Sequence, residues 1–318
     1  MARLAVLRGG HSMERDVSLV TGRRVARALE RLGHEVYPLD VEESTTKRLI
    51  EIEPEAAFVC LHGLGGEDGT VQALLEALGI PYTGSGPLSS IRCMDKDYAK
   101  RAMRAAGIPT PPMRTFLRRA MHEMGAAAAL AAAAEAIGYP LVVKPAREGS
   151  GLGLMRVEGS GALLDAVYEA FGYDAKIILE RWVEGVESTA PILESAGEGP
   201  HVLNLVEVRP RSGSYDFEAK YTPGATDFAI PAEIPAEVAA LTEEAALAAY
   251  RTLGCSGFGR VDMILEDGVP QVIDVKTIPG FTETSTFPLA AEAAGIPFEG
   301  LVATILDTAL QTETPAKL

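Results

Sequence analysis

Cysteine is scarce, with Cys60, Cys93 and Cys255 the only three in 318 residues. They are odd in number, far apart in the chain and without a CxxC spacing, which argues against a disulfide framework. They read as small buried hydrophobes in a reducing compartment. No apolar run approaches the ~20 residues needed to cross a bilayer. The apolar stretch after Met1-Ala2-Arg3 stops at Gly9-Gly10, too soon for a signal peptide. A soluble cytoplasmic protein is expected, with no membrane partner. Positive charge is also in short supply: 29 Lys and Arg against 44 Asp and Glu leave a net charge of −15. Such a chain is a poor holder of a nucleic-acid backbone. A small anionic substrate stays possible, because one site can be locally positive on an acidic protein. Disorder and internal repeats are missing as well. With 47% hydrophobic residues the chain can bury a sizeable core, and its length suggests about two or three structural units.

The first ninety residues alternate strand and helix. Leu4–Leu7 reads as a strand ending in the Gly9-Gly10 turn. A helix follows from about Asp16 or Ser18, with Val25, Ala28, Leu29 and Leu32 on one face and Gly33 as its stop. Val36–Leu39 and Ala56–Leu61 read as strands and Val71–Leu78 as a helix. This rhythm predicts an open, mostly parallel sheet covered on both faces. Ligands of such sheets sit beyond the carboxyl ends of the strands, which draws attention to Gly9–Ser18 and His62–Thr70. Ile108-Pro109-Thr110-Pro111-Pro112 reads as a stiff connector and Ala126–Ala136 as a surface helix. Strands are expected at Leu141–Ala146, Leu154–Val157 and Ile177–Arg181, with a helix at Leu163–Phe171. A long helix, Ala236–Leu253, precedes a strand pair, Gly259–Leu265 and Gln271–Lys276. Glu266-Asp267-Gly268 between them is a hairpin signal.

Gly149-Ser150-Gly151-Leu152-Gly153 lies between two expected strands, so it forms a hairpin tip rather than a dinucleotide fingerprint. Glycines there let backbone N–H groups close over phosphate oxygens, and Lys144 on the incoming strand supplies positive charge. A protein kinase is excluded, since its Lys follows the loop and no H-R-D or D-F-G occurs. On the last strand pair, Arg260 and Asp262 share a face, as do Asp274 and Lys276. A three-residue hairpin loop would set Asp262 opposite Asp274, and a two-residue loop would shift the register by one. Facing carboxylates repel unless a cation lies between them, and Mg²⁺ held by carboxylates and nucleotide phosphates fits that need. The Pro279-Gly280 turn can offer backbone N–H groups to an oxyanion. Thr284, Ser285 and Thr286 could bind a carboxylate, and Glu14 could hold an ammonium with His62 nearby.

Taken in order, these motifs resemble the D-alanine–D-alanine ligases of the ATP-grasp superfamily. The resemblance runs from Gly9-Gly10 to Pro288. It is carried by Gly10-His11-Ser12-Met13-Glu14 with Val17-Ser18-Leu19, His62-Gly63 with Gly66-Glu67-Asp68-Gly69-Thr70, and Met94-Asp95-Lys96. Lys144-Pro145 leading to Gly149-Ser150, Glu218-Ala219-Lys220-Tyr221, Gly259-Arg260-Val261-Asp262 and Thr277-Ile278-Pro279-Gly280-Phe281-Thr282 complete it.

The resemblance implies an α/β fold, α+β in its later parts, with an N-terminal parallel-sheet domain (1–95), a central domain (96–182) and a C-terminal domain (183–318). ATP would lie between the last two. It implies a homodimer, ATP with Mg²⁺ or Mn²⁺, and two D-alanines joined through an acyl phosphate for peptidoglycan synthesis. By the same resemblance Lys96, Lys144 and Lys220 contact the phosphates, Glu180, Trp182 and Val183 the adenine, and Glu187 the ribose. Glu14 and His62 would fix the first D-alanine, and Ser285 with Thr286 the second. Glu14, Ser150 and Tyr221 would form a hydrogen-bonded set, with Arg260 and the Gly280 N–H stabilising the oxyanion. Asp262 and Asp274 would be the metal ligands.

The chain also departs from that family. Asp274-Val275-Lys276 stands where Glu-x-Asn is usual. A protonated ammonium cannot ligate Mg²⁺, so the second ion loses a ligand, and Lys276 is expected to replace part of its charge. Gly151 replaces a usual Ser, and Pro191 is expected to mark an edge or bulge. Two alternatives stay open: a ligase for other amino acids, and a weakened homologue that only binds nucleotide or amino acid.

Overall fold

Strand β1 (Arg3–Arg8) runs parallel between β2 (Glu35–Asp40) and β3 (Ala56–Val59). The computed structural model describes residues 1–195, 197–211, 219–220, 222 and 224–311. Leu4–Leu7 are all fully buried, as a strand covered on both faces requires. One face meets α1 (Arg15–Arg31) through Val25, Ala28 and Leu29, and the last described helix, α11 (Phe298–Gln311), through Leu301, Val302 and Ile305. The other face meets α2 (Thr45–Ile52) and α3 (Thr70–Leu78) through Leu49, Val71 and Leu75. The expected parallel sheet is therefore present. Leu32 departs from expectation: α1 ends at Arg31, so Leu32 falls at the cap and is exposed.

Helices α4 (Pro87–Met94) and α5 (Lys96–Ala105) lead out of this unit. Asp95 caps α5 by accepting the backbone N–H groups of Asp97 and Tyr98. The next sheet is antiparallel, in the order β4 (Met113–Leu117), β7 (Lys176–Arg181), β5 (Leu141–Pro145), β6 (Met155–Val157). Alternation along β5 and β7 sorts its residues. Leu141, Val143, Ile177 and Leu179 pack beneath α7 (Ala127–Ile137) and α8 (Leu163–Tyr173). Val142, Lys144 and Glu180 face the opposite way, into a cleft. Short α6 (Arg118–Glu123) follows β4 at the surface.

The six-stranded sheet is also antiparallel, in the order β11 (Thr226–Ala229), β10 (Val206–Pro210), β8 (Val186–Ser195), β12 (Phe258–Glu266), β13 (Val269–Lys276), with β9 (Gly199–Val202) beside β8. Helix α9 (Ala236–Leu253) covers one face through Ala246, Ala249, Tyr250 and Leu253. Ala99, Met103 and Ile108 join the same core, so α5 and the start of the proline connector pack beneath this sheet. Pro191 corrects an expectation. It lies inside β8, not at an edge, where pairing passes from β10 at Thr189 to β9 at Ile192. Its missing N–H coincides with that hand-over.

The β12–β13 hairpin turns through Asp267 and Gly268, whose φ values of 50° and 81° suit a primed two-residue turn. From Glu266↔Val269 the register runs regularly to Met263↔Val272. It then slips at a bulge, so that Asp262 pairs with Asp274 across the unpaired Ile273. The two-residue loop alone would have set Asp262 opposite Ile273; the bulge restores the facing carboxylates. Finally, α10 (Thr286–Ala293) follows the Thr282–Ser285 turn and leads to α11.

Candidate active site

The cleft runs from the β1–α1 loop past the middle sheet to the β12–β13 hairpin. Glu14 and His62 line it from the first unit, and Lys96, Lys144 and Ser150 from the middle. Glu180, Trp182, Val183 and Glu187 line it further along, and Lys220 lies near Asp262 and Arg260. Arg260, Asp262, Asp274, Lys276, Gly280, Ser285 and Thr286 close the far side. All the site residues singled out in the sequence meet here except Tyr221, which lies outside the described residues.

Two loops from distant parts of the chain touch at the centre. Ser150, at the glycine-rich hairpin tip with φ 54°, donates its hydroxyl to the Glu14 carboxylate. Gly149 lies close beneath them: a Cβ there would stand 2.8 Å from Glu14 Oε2 and 2.9 Å from Lys276 Nζ, so a larger residue would have to push these side-chain ends aside. Ser12 Oγ donates to the His62 carbonyl at 2.6 Å, and His62 Nε2 lies 3.1 Å from Thr21 Oγ1. Burial holds His62 below its usual range, with Glu67 and Glu14 pulling the other way.

The basic groups are tied to specific partners. Lys96 Nζ donates to the Glu148 carbonyl at 2.5 Å and lies 3.8 Å from Asp274. Lys144 pairs with Glu180 Oε1 at 2.7 Å, and Lys100 with Glu180 Oε2 at 2.6 Å. Burial favours the neutral form of Glu180, but the two lysines outweigh it and keep the acid ionised. Each carboxylate oxygen thus faces a lysine ammonium. Burial brings the Lys100 ammonium down to about 8, against the pull of Glu180.

On the hairpin, Arg260 grips Asp262 through Nε at 2.7 Å and Nη2 at 2.8 Å, and Thr189 Oγ1 donates to the same carboxylate at 2.8 Å. Burial opposes the charge of Asp262, yet Arg260 and Lys220 hold its carboxyl down at about 2. Lys276 Nζ lies 3.5 Å from Glu67 and 3.8 Å from Asp274. Burial would strip its proton, but Glu67, Asp274 and Glu14 keep it charged well above the usual lysine range. Among the described residues no three His, Cys, Asp or Glu side chains gather as a metal cage. Asp262 and Asp274 are two hard oxygen donors lining the cleft, a pair that could hold one Mg²⁺ completed by oxygens of a bound ligand.

Sequence reasoning missed several residues. Lys100 had a signal, standing one helical turn after Lys96 on α5. Glu67 stood in a quoted motif without a role, although it accepts the Gly63 N–H at 2.9 Å and faces Lys276. Arg24, whose Nη1 donates to the Phe281 and Thr282 carbonyls at 2.8 and 2.9 Å, had none. Cys93 and Cys255, distant in the chain, lie with their sulfurs 3.4 Å apart.

Residues 102–307 match the family model described as D-ala D-ala ligase C-terminus, and residues 42–85 match D-ala D-ala ligase N-terminus. The chain belongs to the D-alanine–D-alanine ligase family. It is 44% identical over 301 residues to the D-alanine–D-alanine ligase of Desulforudis audaxviator, covering 94% of this chain and 96% of that protein. The solved structure of the D-alanine–D-alanine ligase from Bacillus anthracis superposes with a TM-score of 0.83 at 36% identity, over 98% of each chain. The same enzyme complexed with ATP superposes with a TM-score of 0.81 at 34% identity, again over 98% of each. The two antiparallel sheets flanking the cleft form the ATP-grasp arrangement of that family.

Proposed function

We propose that this chain joins two D-alanines into D-alanyl-D-alanine at the expense of ATP, for peptidoglycan precursor synthesis. The observation that carries it is the meeting, in one cleft, of Glu14 and His62 with the phosphate-loop Ser150, the lysines and the paired Asp262 and Asp274.

In this reading the nucleotide lies against Val183 and Trp182, with Glu187 at its ribose. The triphosphate runs toward Lys96, Lys144 and Lys220. Glycine-rich backbone N–H groups cover the phosphates. Asp262 and Asp274 would hold Mg²⁺ or Mn²⁺, which supplies charge neutralisation of the phosphates when bound. Glu14 takes the ammonium of the first D-alanine, with His62 beside it. The substrate carboxylate oxygen attacks the γ-phosphorus, the bond to ADP breaks, and an acyl phosphate forms. The amine of the second D-alanine then attacks that carbonyl carbon and phosphate leaves. Arg260 and the Gly280 N–H face the oxyanion of this step. Enclosure keeps water from the acyl phosphate.

The second carboxylate falls to Ser285 and Thr286. Thr286 is 2% exposed, begins α10, and its Oγ1 has no hydrogen-bond partner among the described residues. A carboxylate oxygen arriving there would satisfy the hydroxyl and lie at a helix N-terminus. The same reading makes the enzyme a cytoplasmic homodimer. No single helix among the described residues is long and apolar enough to cross a membrane, and light scattering measures the assembly.

The test is to mix the protein with ATP, Mg²⁺ and a panel of D- and L-amino acids, follow phosphate release and identify the product. D-alanyl-D-alanine as the main product is expected. Another dipeptide would shift the acceptor, and no turnover with intact ATP binding would leave only a binding protein.

A further inference from the structure

We propose that the Lys276 side chain is a covalently built-in cation of the phosphate site, so that the cleft takes one divalent ion with its nucleotide and has no place for a second. This rests on the ATP-dependent reading above and refines it.

Three observations carry it. The first is the donor inventory. No group of three or more metal-ligating His, Cys, Asp or Glu side chains gathers among the described residues, and the hairpin carboxylates that line the cleft are Asp262 and Asp274, brought together by the Ile273 bulge. Asp274 and phosphate oxygens can serve one ion jointly with Asp262, but a second ion would need further donors.

The second is what occupies the next position on that face. Two residues beyond Asp274, the ammonium of Lys276 lies between Asp274 at 3.8 Å and Glu67 at 3.5 Å. Glu67, the further carboxylate that a second ion would recruit, is therefore already paired with an ammonium. The other Glu67 oxygen, Oε1, accepts the Gly63 N–H at 2.9 Å, so this acid is held in place from both sides. A divalent ion brought among these groups would face an ammonium at contact range, which is strongly repulsive in a buried site.

The third is the direction of the side chain. Lys276 Nζ lies 2.9 Å from where a Cβ on Gly149 would stand, directly under the phosphate loop. The Lys276 side chain is only 12% exposed. At this place the charge meets the terminal phosphates of a nucleotide as they enter, where a bound metal ion would otherwise sit.

The experiment is a Mn²⁺ titration followed by electron paramagnetic resonance, which reads free ion, on full-length protein saturated with ADP. The unaltered protein and Lys276→Arg are expected to bind one Mn²⁺ per active site in the presence of ADP. Lys276→Asp and Lys276→Asn, which replace the ammonium by oxygen donors, are expected to raise the count to two. Circular dichroism and the ADP affinity of each variant check that the fold persists. Two ions in the unaltered protein would overturn the inference while leaving the nucleotide reading standing. One ion in every form would overturn the assignment to Lys276. No ADP-dependent Mn²⁺ binding in any form would overturn the nucleotide reading, and this inference with it.

Discussion

Glu14 and Ser150 are separated by 136 residues, and the hydrogen bond between them joins the β1–α1 loop to the glycine-rich hairpin. Glu14 is only 5% exposed, so its charge depends on such donors. Ser150→Ala removes one of them and leaves the carboxylate under-satisfied, a cost of about 1–3 kcal/mol. If that cost is felt at the transition state, kcat/KM falls roughly 5- to 150-fold. The loss is expected in KM for D-alanine and in kcat, with ATP affinity changed far less. Steady-state kinetics with each substrate varied in turn checks this.

Lys100 and Lys144 share Glu180, and the sharing is pH-dependent. Burial lowers the Lys100 ammonium to about 8. Above that pH Lys100 is neutral, the whole Glu180 charge falls on Lys144, and the pull of Lys144 on a phosphate weakens. KM for ATP is expected to climb as pH rises past about 8 in the unaltered enzyme and to stay level in Lys100→Arg. Stability has its own sign. Between about 8 and the ordinary 10.5 the unfolded chain binds the extra proton, so this group's contribution grows with pH. Below about 8 the full cost of burying the charge is present. Denaturant unfolding at pH 7 and pH 9.5 reads that slope, which Lys100→Arg should remove.

Local pattern carried much of the fold. The apolar run Leu4–Leu7, the α1 stripe and the Asp267-Gly268 turn were legible because each depends on neighbours in the chain. The Ile273 bulge was not foreseen, although Val272 and Val275, both buried and three apart, break strand alternation. The site residues were recognised as a set through their order along the chain, not through any single spacing. What stayed hidden were partners joined only by folding. Arg24 reaches backbone carbonyls 257 positions away, which no side-chain motif records. The two lysines that share Glu180 come from separate elements, and α11 returns to the first sheet from the far end of the chain.

Arg24 makes a third prediction. Its guanidinium holds the Phe281 and Thr282 carbonyls while stacking 3.9 Å over the Phe298 ring. Removing it frees the turn that carries Gly280 and Ser285. Arg24→Met is expected to cost about 1.5–3 kcal/mol in stability, the range for hydrogen bonds to a charged group. KM for D-alanine should rise at high ATP, with little change in KM for ATP. Arg24→Lys should recover only part of the effect, since an ammonium cannot both span two carbonyls and lie flat on a ring. Thermal melts and D-alanine saturation curves measure the two consequences.

Trp182 is the only tryptophan in the chain and stands on the cleft wall just beyond β7, so it is a built-in reporter. Its ring faces Arg156, whose guanidinium carbon is 4.5 Å from the centroid, and its Nε1 has no hydrogen-bond partner among the described residues. A base arriving at Val183 would change the water around that ring. ADP or ATP is therefore expected to shift or quench the tryptophan emission, whereas D-alanine alone, held near Glu14 and His62, should leave it unchanged. If the ring stacks on the base, Trp182→Ala should lose about 1–3 kcal/mol of nucleotide binding, with kcat at saturating ATP nearly preserved. An emission change driven by D-alanine and not by ADP would place the nucleotide elsewhere and reverse the assignment of this wall.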